Sequence, residues 1–260
     1  MNLLKKTLII TLSVLLTSCS GLPDLFSENK FYFKSGYQQV KLDTEDENVK
    51  NIHPIKIDSL RIEGALKLLL TRFGKKPQQL FANEKVFDYA VAINPKSKGH
   101  KKEKLTLAGI ETWKITTPNS DPEKILLYFH GGAYQVGSPK GYYPMLTHLA
   151  RETGFTIYIP DYRLAPEHYY PAQVEDGVAT YNALVNDLGY SPDQIAFGGD
   201  SAGGNMSLVT LLKLKEQGKE MPGAVICISP WADPAATGES YNKDMAEKDF
   251  LIAPGNDGNC

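Results

Sequence analysis

One serine has neighbours of the types and spacing that nucleophilic acyl transfer needs. Residues 199–204 read GDSAGG with Ser201 at the centre, directly after the apolar run at 195–197 and before a helix-like stretch. This strand, turn and helix order is typical of a nucleophile elbow, in which flanking glycines permit a sharp turn and leave the hydroxyl exposed. A bare G-x-S-x-G arises by chance in about one chain of this length in ten, so the motif needs independent support.

A second glycine-rich loop supports the same chemistry. The apolar segment at 124–129 is a predicted buried strand, and the tetrapeptide HGGA follows it at 130–133. Loops of this type supply backbone N–H groups that bind the oxyanion of an acyl-transfer intermediate. The candidate donors are Gly131, Gly132, Ala133 and, directly after the nucleophile, Ala202. The alternative is a pair of ordinary glycine-rich turns, and the order strand, HGG, strand, strand, GDSAGG, helix argues against it.

Four segments together resemble the hormone-sensitive-lipase-like branch of the α/β hydrolases. They are HGGA at 130–133, DYRLAPEH at 161–168, GDSAGG at 199–204 and SPW at 229–231. The resemblance implies a serine carboxylesterase or lipase-type hydrolase of short to medium acyl esters, working on a small-molecule ester without a cofactor. It also implies that Gly132 and Ala133 donate to the oxyanion. Ala133 replaces the usual glycine, and a positive φ there would add about 1 kcal/mol of strain.

The pattern of elements around these motifs predicts a mostly parallel sheet with helices on both faces, as in the α/β-hydrolase fold. Apolar runs alternate with helical stretches, which is typical of crossover connections. Two earlier runs, 86–93 and 111–116, read as an antiparallel strand pair. The predicted strands are 125–129, 155–160, 195–197 and 224–229, and the predicted helices are 143–152, 172–188 and 202–217.

The N-terminus predicts export and lipid anchoring. Two lysines precede an apolar stretch at 8–16 that is too short to span a bilayer and suits a signal peptide. The sequence LTSC at 16–19 looks like a bacterial lipobox in which Cys19 is lipidated, and Ser20 is compatible with the outer membrane, facing the periplasm. The alternative is an ordinary cleaved signal peptide that contains a cysteine. We expect a lipoprotein signal peptide at 1–18, a polar tether at 19–56 and the hydrolase domain at 57–260, with a helix at 58–74.

Composition narrows the remaining classes. A formal charge of −2 and 42% hydrophobic residues fit one globular domain plus a leader. The chain has no excess of basic residues of the kind that would indicate binding to nucleic acid. No Cys, His and Asp spacing suggests a metal site. Cys227 reads as a small core residue, and a disulfide with Cys260 is possible in an oxidising envelope. The oligomeric state is left open.

The chain offers no obvious general base. An α/β hydrolase supplies its triad in the order Ser, acid, His, yet no histidine follows His168. We therefore expect a hydrolase domain that lacks its last strands, with triad acid and base unassigned and kcat reduced by about 10⁶. His168 and His130 are expected to be structural, and Asp161 and Arg163 could pair to brace their loop. The alternatives are an upstream base or an inactive binding module, as in the plant gibberellin receptors, which resemble this family.

Overall fold

The computed structural model describes residues 83–92 and 95–235, which form a six-stranded mixed sheet flanked by helices. The strand order is β1-β2-β4-β3-β5-β6. The strands are β1 (Lys101–Leu107), β2 (Ile110–Thr116), β3 (Asp121–Phe129), β4 (Phe155–Pro160), β5 (Ile195–Asp200) and β6 (Ala224–Ile228). The described helices are α1 (Glu84–Val91), α2 (Pro139–Thr153), α3 (Ala172–Asn186) and α4 (Ala202–Glu216), with a 3₁₀ turn at Pro192–Gln194.

The parallel part of the sheet is the core of the domain, as the alternating pattern predicted. β3 pairs in parallel with β4 and β5, and β5 pairs in parallel with β6. Both faces of β3 are covered, because Leu127 and Phe129 pack into one apolar cluster while Leu126 and Tyr128 pack into the other. This double burial explains why β3 is a continuous apolar run. The carboxyl ends of β3 and β5 therefore carry the two glycine-rich loops side by side.

The predicted strand at 86–93 is wrong, because α1 occupies this stretch. The Asn83 side chain caps the helix by accepting from the Val86 amide at 3.3 Å, and Phe87 and Val91 lie four residues apart on its inward face. β2 instead pairs antiparallel with β1, a lysine-rich strand without a clear apolar alternation, and on its other side antiparallel with β4. The predicted strand at 111–116 is confirmed as β2.

β6, the strand predicted at 224–229, is only half-buried. Val225 and Cys227 are partly buried and alternate with exposed neighbours, of which Ile226 is 42% and Ile228 44% exposed. Cys227 is thus at the margin of the core rather than inside it. Among the strands that the structure describes, β6 pairs with β5 alone.

Several predictions fall outside the described residues. They are the signal peptide at 1–18 with Cys19, the tether at 19–56, the helix at 58–74 and Cys260. None of the helices in the described ranges is long and apolar enough to cross a membrane.

Candidate active site

Ser201 lies at a sharp turn between β5 and α4. It is exposed and has φ 52° and ψ −120°, a conformation that is strained for any residue with a Cβ. Three backbone hydrogen bonds hold it there: its amide donates to the Ile228 carbonyl at 3.1 Å, and its carbonyl accepts from Asn205 at 3.1 Å and Trp231 at 2.8 Å. The turn has the geometry of a nucleophile elbow, with the hydroxyl at the carboxyl end of the sheet.

The glycines around Ser201 permit a close approach of α4 to the sheet. A Cβ on Gly203 would lie 2.0 Å from the Phe129 carbonyl oxygen, and one on Gly199 would lie 2.3 Å from the Gly203 carbonyl oxygen. A Cβ on Gly204 would lie 2.9 Å from Pro230. The hexapeptide is therefore glycine-rich because backbone contacts leave no room for a side chain.

The HGGA loop after β3 has an unusual backbone. Gly132 has φ 125°, and Ala133 and Tyr134 have φ 55° and 61°. The Gly132 carbonyl accepts from the amides of Gln135 at 2.9 Å and Val136 at 3.0 Å, which closes the turn. Because Ala133 does have a positive φ, it carries about 1 kcal/mol of strain that a glycine would avoid.

Of the four candidate oxyanion donors, the Gly131 amide already donates hydrogen bonds within the protein, and the other three amides are called open because no group in the described ranges accepts from them. The Gly131 amide donates to the Tyr142 hydroxyl at 3.0 Å and to Asp200 Oδ1 at 3.1 Å. Gly131 was predicted as an oxyanion donor, and in this structure its amide already donates to these two groups. Within the described ranges, no group accepts from the amides of the other candidates, Gly132, Ala133 and Ala202. Ala202 is the first residue of α4, where backbone N–H groups have no partner in the helix.

Asp200 connects the two loops, and the sequence analysis assigned it no role. Its Oδ1 accepts from the Tyr128 hydroxyl and its Oδ2 from the Tyr142 hydroxyl, each at 2.9 Å. Burial, reinforced by the Asp200 charge, raises the pKa of both tyrosines well above the ordinary value of 10. Both hydroxyls therefore remain donors. The sequence pointed to Asp200 only through its position inside the hexapeptide, and its hydrogen-bond partners could not be predicted because they lie on other elements.

His130 is a structural histidine at the base of the HGGA loop. Its ring is fully buried, stacks on Tyr162 with centroids 4.3 Å apart, and places Nδ1 2.8 Å from the Gly131 carbonyl oxygen. Nδ1 therefore donates to this carbonyl. Burial lowers the pKa of His130 to about 4, so the ring is neutral at pH 7. No hydrogen bond between His130 and Ser201 is found in the described part of the chain.

The loop after β4 is braced differently from the prediction. Arg163 pairs with Asp176 on α3 rather than with Asp161, with Nη2 2.7 Å from Oδ1 and the Arg163 amide 2.9 Å from Oδ2. Burial, together with the neighbouring acids Glu111, Glu84 and Asp88, raises the pKa of Asp161 to about 6. His168 has an exposed side chain, and its backbone amide bonds to the Leu164 carbonyl at 2.9 Å.

The described ranges contain no candidate cation site. No three His, Cys, Asp or Glu side chains lie there in a group that could hold a metal ion.

Comparison with known proteins agrees with this architecture. A family model of the alpha/beta hydrolase fold matches residues 126–258, just over half of the chain. The protein therefore belongs to the alpha/beta hydrolase fold family. Its solved structural relatives include an esterase from the bacterial hormone-sensitive lipase family, with 34% identity, a TM-score of 0.66 and coverage of 74% of this chain and 64% of that chain.

Curated relatives carry similar names. An acetyl-hydrolase of Streptomyces hygroscopicus is 37% identical over 134 residues, which are 52% of this chain and 44% of the relative. An esterase of Acinetobacter venetianus is 34% identical over 155 residues, which are 60% of this chain and 50% of the relative. The chain thus spans about half the length of the curated relatives it matches.

Proposed function

We propose that this protein is a carboxylesterase that hydrolyses short to medium acyl esters, with Ser201 as the nucleophile. The observation that carries the proposal is the strained, exposed Ser201 at the head of α4, beside a loop with open amides. The names of the relatives, acetyl-hydrolase and esterase, favour an ester with a small acyl group.

In the proposed reaction the Ser201 hydroxyl oxygen attacks the ester carbonyl carbon. The tetrahedral intermediate collapses to an acyl-serine and releases the alcohol, which takes up the proton that the serine gave up. Water then attacks the acyl-serine, releases the carboxylic acid and restores the hydroxyl. We assign no residue to the general base or the triad acid.

The proposed oxyanion donors are the amides of Gly132, Ala133 and Ala202. Each would donate to the carbonyl oxygen when it becomes negatively charged, and the loss of one such donor costs about 10²–10³ in kcat. Ala202 begins a helix of 15 residues, whose N-terminal partial positive charge favours the same anion. The arrangement stabilises charge that develops only in the transition state.

A fluorophosphonate probe and p-nitrophenyl butyrate test the proposal. We expect the probe to label Ser201 in the wild type and not in Ser201→Ala. Whatever turnover of p-nitrophenyl butyrate the chain retains should be lost in Ser201→Ala. Ser191→Ala is the matched control, because Ser191 is an exposed serine on the 3₁₀ turn before β5. Equal labelling of wild type and Ser201→Ala would contradict the proposal. Silence of the folded wild type would favour a binding module with a hydrolase fold.

We further propose that Cys19 is lipidated and that the segment 19–56 tethers the domain to the bacterial envelope. The supporting pattern is the order of two lysines, an apolar core and the lipobox. Wild type should partition with membranes, and Cys19→Ala should be released or remain unprocessed. Cys227→Ala is the control and should partition as the wild type does. Recovery of wild type entirely in the soluble fraction would overturn this anchor.

A further inference from the structure

We propose that Asp200 is a positioning residue that sets the oxyanion loop relative to the nucleophile. The inference rests on the proposed esterase function of Ser201. Asp200 does not contact the substrate in this proposal. Asp200 holds the HGGA loop in the geometry in which the open amides face the position of the substrate carbonyl.

The Asp200 carboxylate accepts three hydrogen bonds, two at Oδ1 and one at Oδ2. The hydroxyls of Tyr128 on β3 and Tyr142 on α2 each donate at 2.9 Å, and the Gly131 amide donates at 3.1 Å. Tyr128 and Tyr142 are 1% and 3% exposed, so their hydroxyl groups are held in fixed positions by packing. A carboxylate with this many donors is fixed in turn.

The HGGA loop rests directly on this carboxylate. A Cβ on Gly131 would lie 2.4 Å from Asp200 Oδ2 and 2.9 Å from the Asp200 carbonyl oxygen. With the Gly131 amide turned inward to Asp200, the chain reverses at Gly132, which has φ 125°. The direction of the next two amides therefore depends on where Asp200 holds Gly131.

Asp200 is also covalently next to Ser201. Its backbone thus positions the nucleophile while its side chain positions the oxyanion loop, so one residue sets the spacing between the two. Catalytic groups lose about 10² in rate when they are displaced by about 1 Å. A residue that couples both partners is therefore expected to affect kcat without contacting the ester.

The negative charge of Asp200 and its positioning role have opposite expected effects on kcat. A carboxylate near a developing oxyanion repels it, so removal of the charge alone would raise kcat. If positioning dominates, removal lowers kcat. The three donors that face Asp200 offset part of the repulsion, since hydrogen bonds to a carboxylate are charge-assisted.

Asp200→Asn in the full-length protein separates these effects. An amide has a single acceptor oxygen and an NH₂ donor, so it cannot accept from all three groups. We expect the rate at which the fluorophosphonate probe labels Ser201, and any Ser201-dependent kcat for p-nitrophenyl butyrate, to fall about 10²-fold with KM unchanged within about twofold. Tyr128→Phe, which leaves the Gly131 bond in place, should lower kcat less. Asp187→Asn, an exposed aspartate at the end of α3, should leave both parameters unchanged.

Hydrogen exchange of the segment 130–134 gives a readout that does not depend on catalysis. We expect exchange to become about tenfold faster in Asp200→Asn and to stay unchanged in Asp187→Asn, because a neutral amide with one acceptor oxygen replaces the charged carboxylate that accepts from Gly131, Tyr128 and Tyr142. Faster exchange together with a lower kcat at constant KM supports the inference. Unchanged exchange, or an equal or higher kcat, overturns it. If wild type exchanges as expected but shows no Ser201-dependent turnover, the esterase proposal fails separately.

Discussion

The two loops that meet at Ser201 are held in place by different kinds of contact. The elbow is fixed by backbone atoms, since α4 approaches β3 so closely that no Cβ fits on Gly203, and three backbone hydrogen bonds hold Ser201. The HGGA loop also has close backbone contacts, since a Cβ on Gly132 would lie 2.0 Å from the Val136 carbonyl oxygen, but it depends in addition on the side chains of Asp200, Tyr142 and His130. Side-chain hydrogen bonds can be removed singly by substitution, whereas backbone hydrogen bonds cannot. The nucleophile is therefore held by backbone contacts, and the position of the oxyanion loop can be changed through its side-chain contacts.

The elbow should not tolerate an added methyl group. Gly203→Ala would place a Cβ 2.0 Å from the Phe129 carbonyl oxygen, and we expect it to lower the free energy of unfolding by about 4 kcal/mol. Chemical denaturation measures the loss. Gly218→Ala is the control, because Gly218 has φ 64° with nothing within 4 Å, so it should cost only about 1 kcal/mol. Equal losses would show that steric closeness does not distinguish the elbow.

The HGGA loop should respond to pH through His130. Burial lowers its pKa to about 4 from an ordinary value of 6.5, so the folded state opposes protonation that the unfolded state accepts. Stability is therefore full above pH 6.5 and is lost as the pH falls towards 4, by about 3 kcal/mol from this group. We expect the difference in unfolding free energy between wild type and His130→Asn to shrink over this window.

Asn186→Ala, at an exposed position without an ionisable side chain, provides the control for that measurement. Its difference from wild type should stay constant between pH 6.5 and 4. A constant difference between wild type and His130→Asn across the window would mean that the ring titrates alike in both states.

The loop after β4 supports the HGGA loop, since the Ala165 amide donates to the Tyr134 carbonyl at 2.8 Å. It is itself held by Arg163 on Asp176, which is 7% exposed at its side chain while Arg163 is 41% exposed. Arg163→Ala leaves the buried carboxylate without its cation, and we expect a loss of about 2 kcal/mol in unfolding free energy. Arg163→Lys should recover only part, because a lysine cannot donate two parallel bonds. Full recovery would reduce the pair to simple charge attraction.

Ala133 offers the smallest and oppositely signed effect. Because its φ is 55°, Ala133→Gly should relieve strain and raise the unfolding free energy by up to about 1 kcal/mol. Thermal denaturation can detect the gain against Ala179→Gly in α3, which should lose about 1 kcal/mol as an ordinary helix position does. A loss at Ala133 similar to that at Ala179 would mean that the loop backbone is not strained.

The sequence predicted the parts of the fold that depend on local patterns. Apolar runs located β3 to β6, and their alternation with helical stretches predicted the parallel sheet. α1 was mistaken for a strand because its β-formers outweighed the Asn83 cap, and β1 was missed because a lysine-rich edge strand has no apolar alternation. The elbow could be found because its serine and its three glycines lie within six consecutive residues.

The side-chain contacts of the site could not be predicted in the same way. Residues 128, 142 and 200 belong to three elements, so their contacts exist only after the sheet and α2 have assembled. Asp176 likewise lies 13 residues from Arg163, and the nearer Asp161 was the wrong partner. Residue spacing along the chain shows which groups are available, and tertiary packing decides which of them meet.

The contacts of Asp200 bear on how this domain could be recombined with its relatives. A graft of residues 130–133 alone would place a new loop against the Asp200 carboxylate, whose position also depends on hydrogen bonds from Tyr128 and Tyr142. Crossover points placed before β3 and after α2 would move the loop and both tyrosines as one block. The contacts of that block with residues 162, 165, 200 and 205 would then have to be matched. Chimeric libraries built on that block should keep more folded members than libraries cut at the motif boundaries.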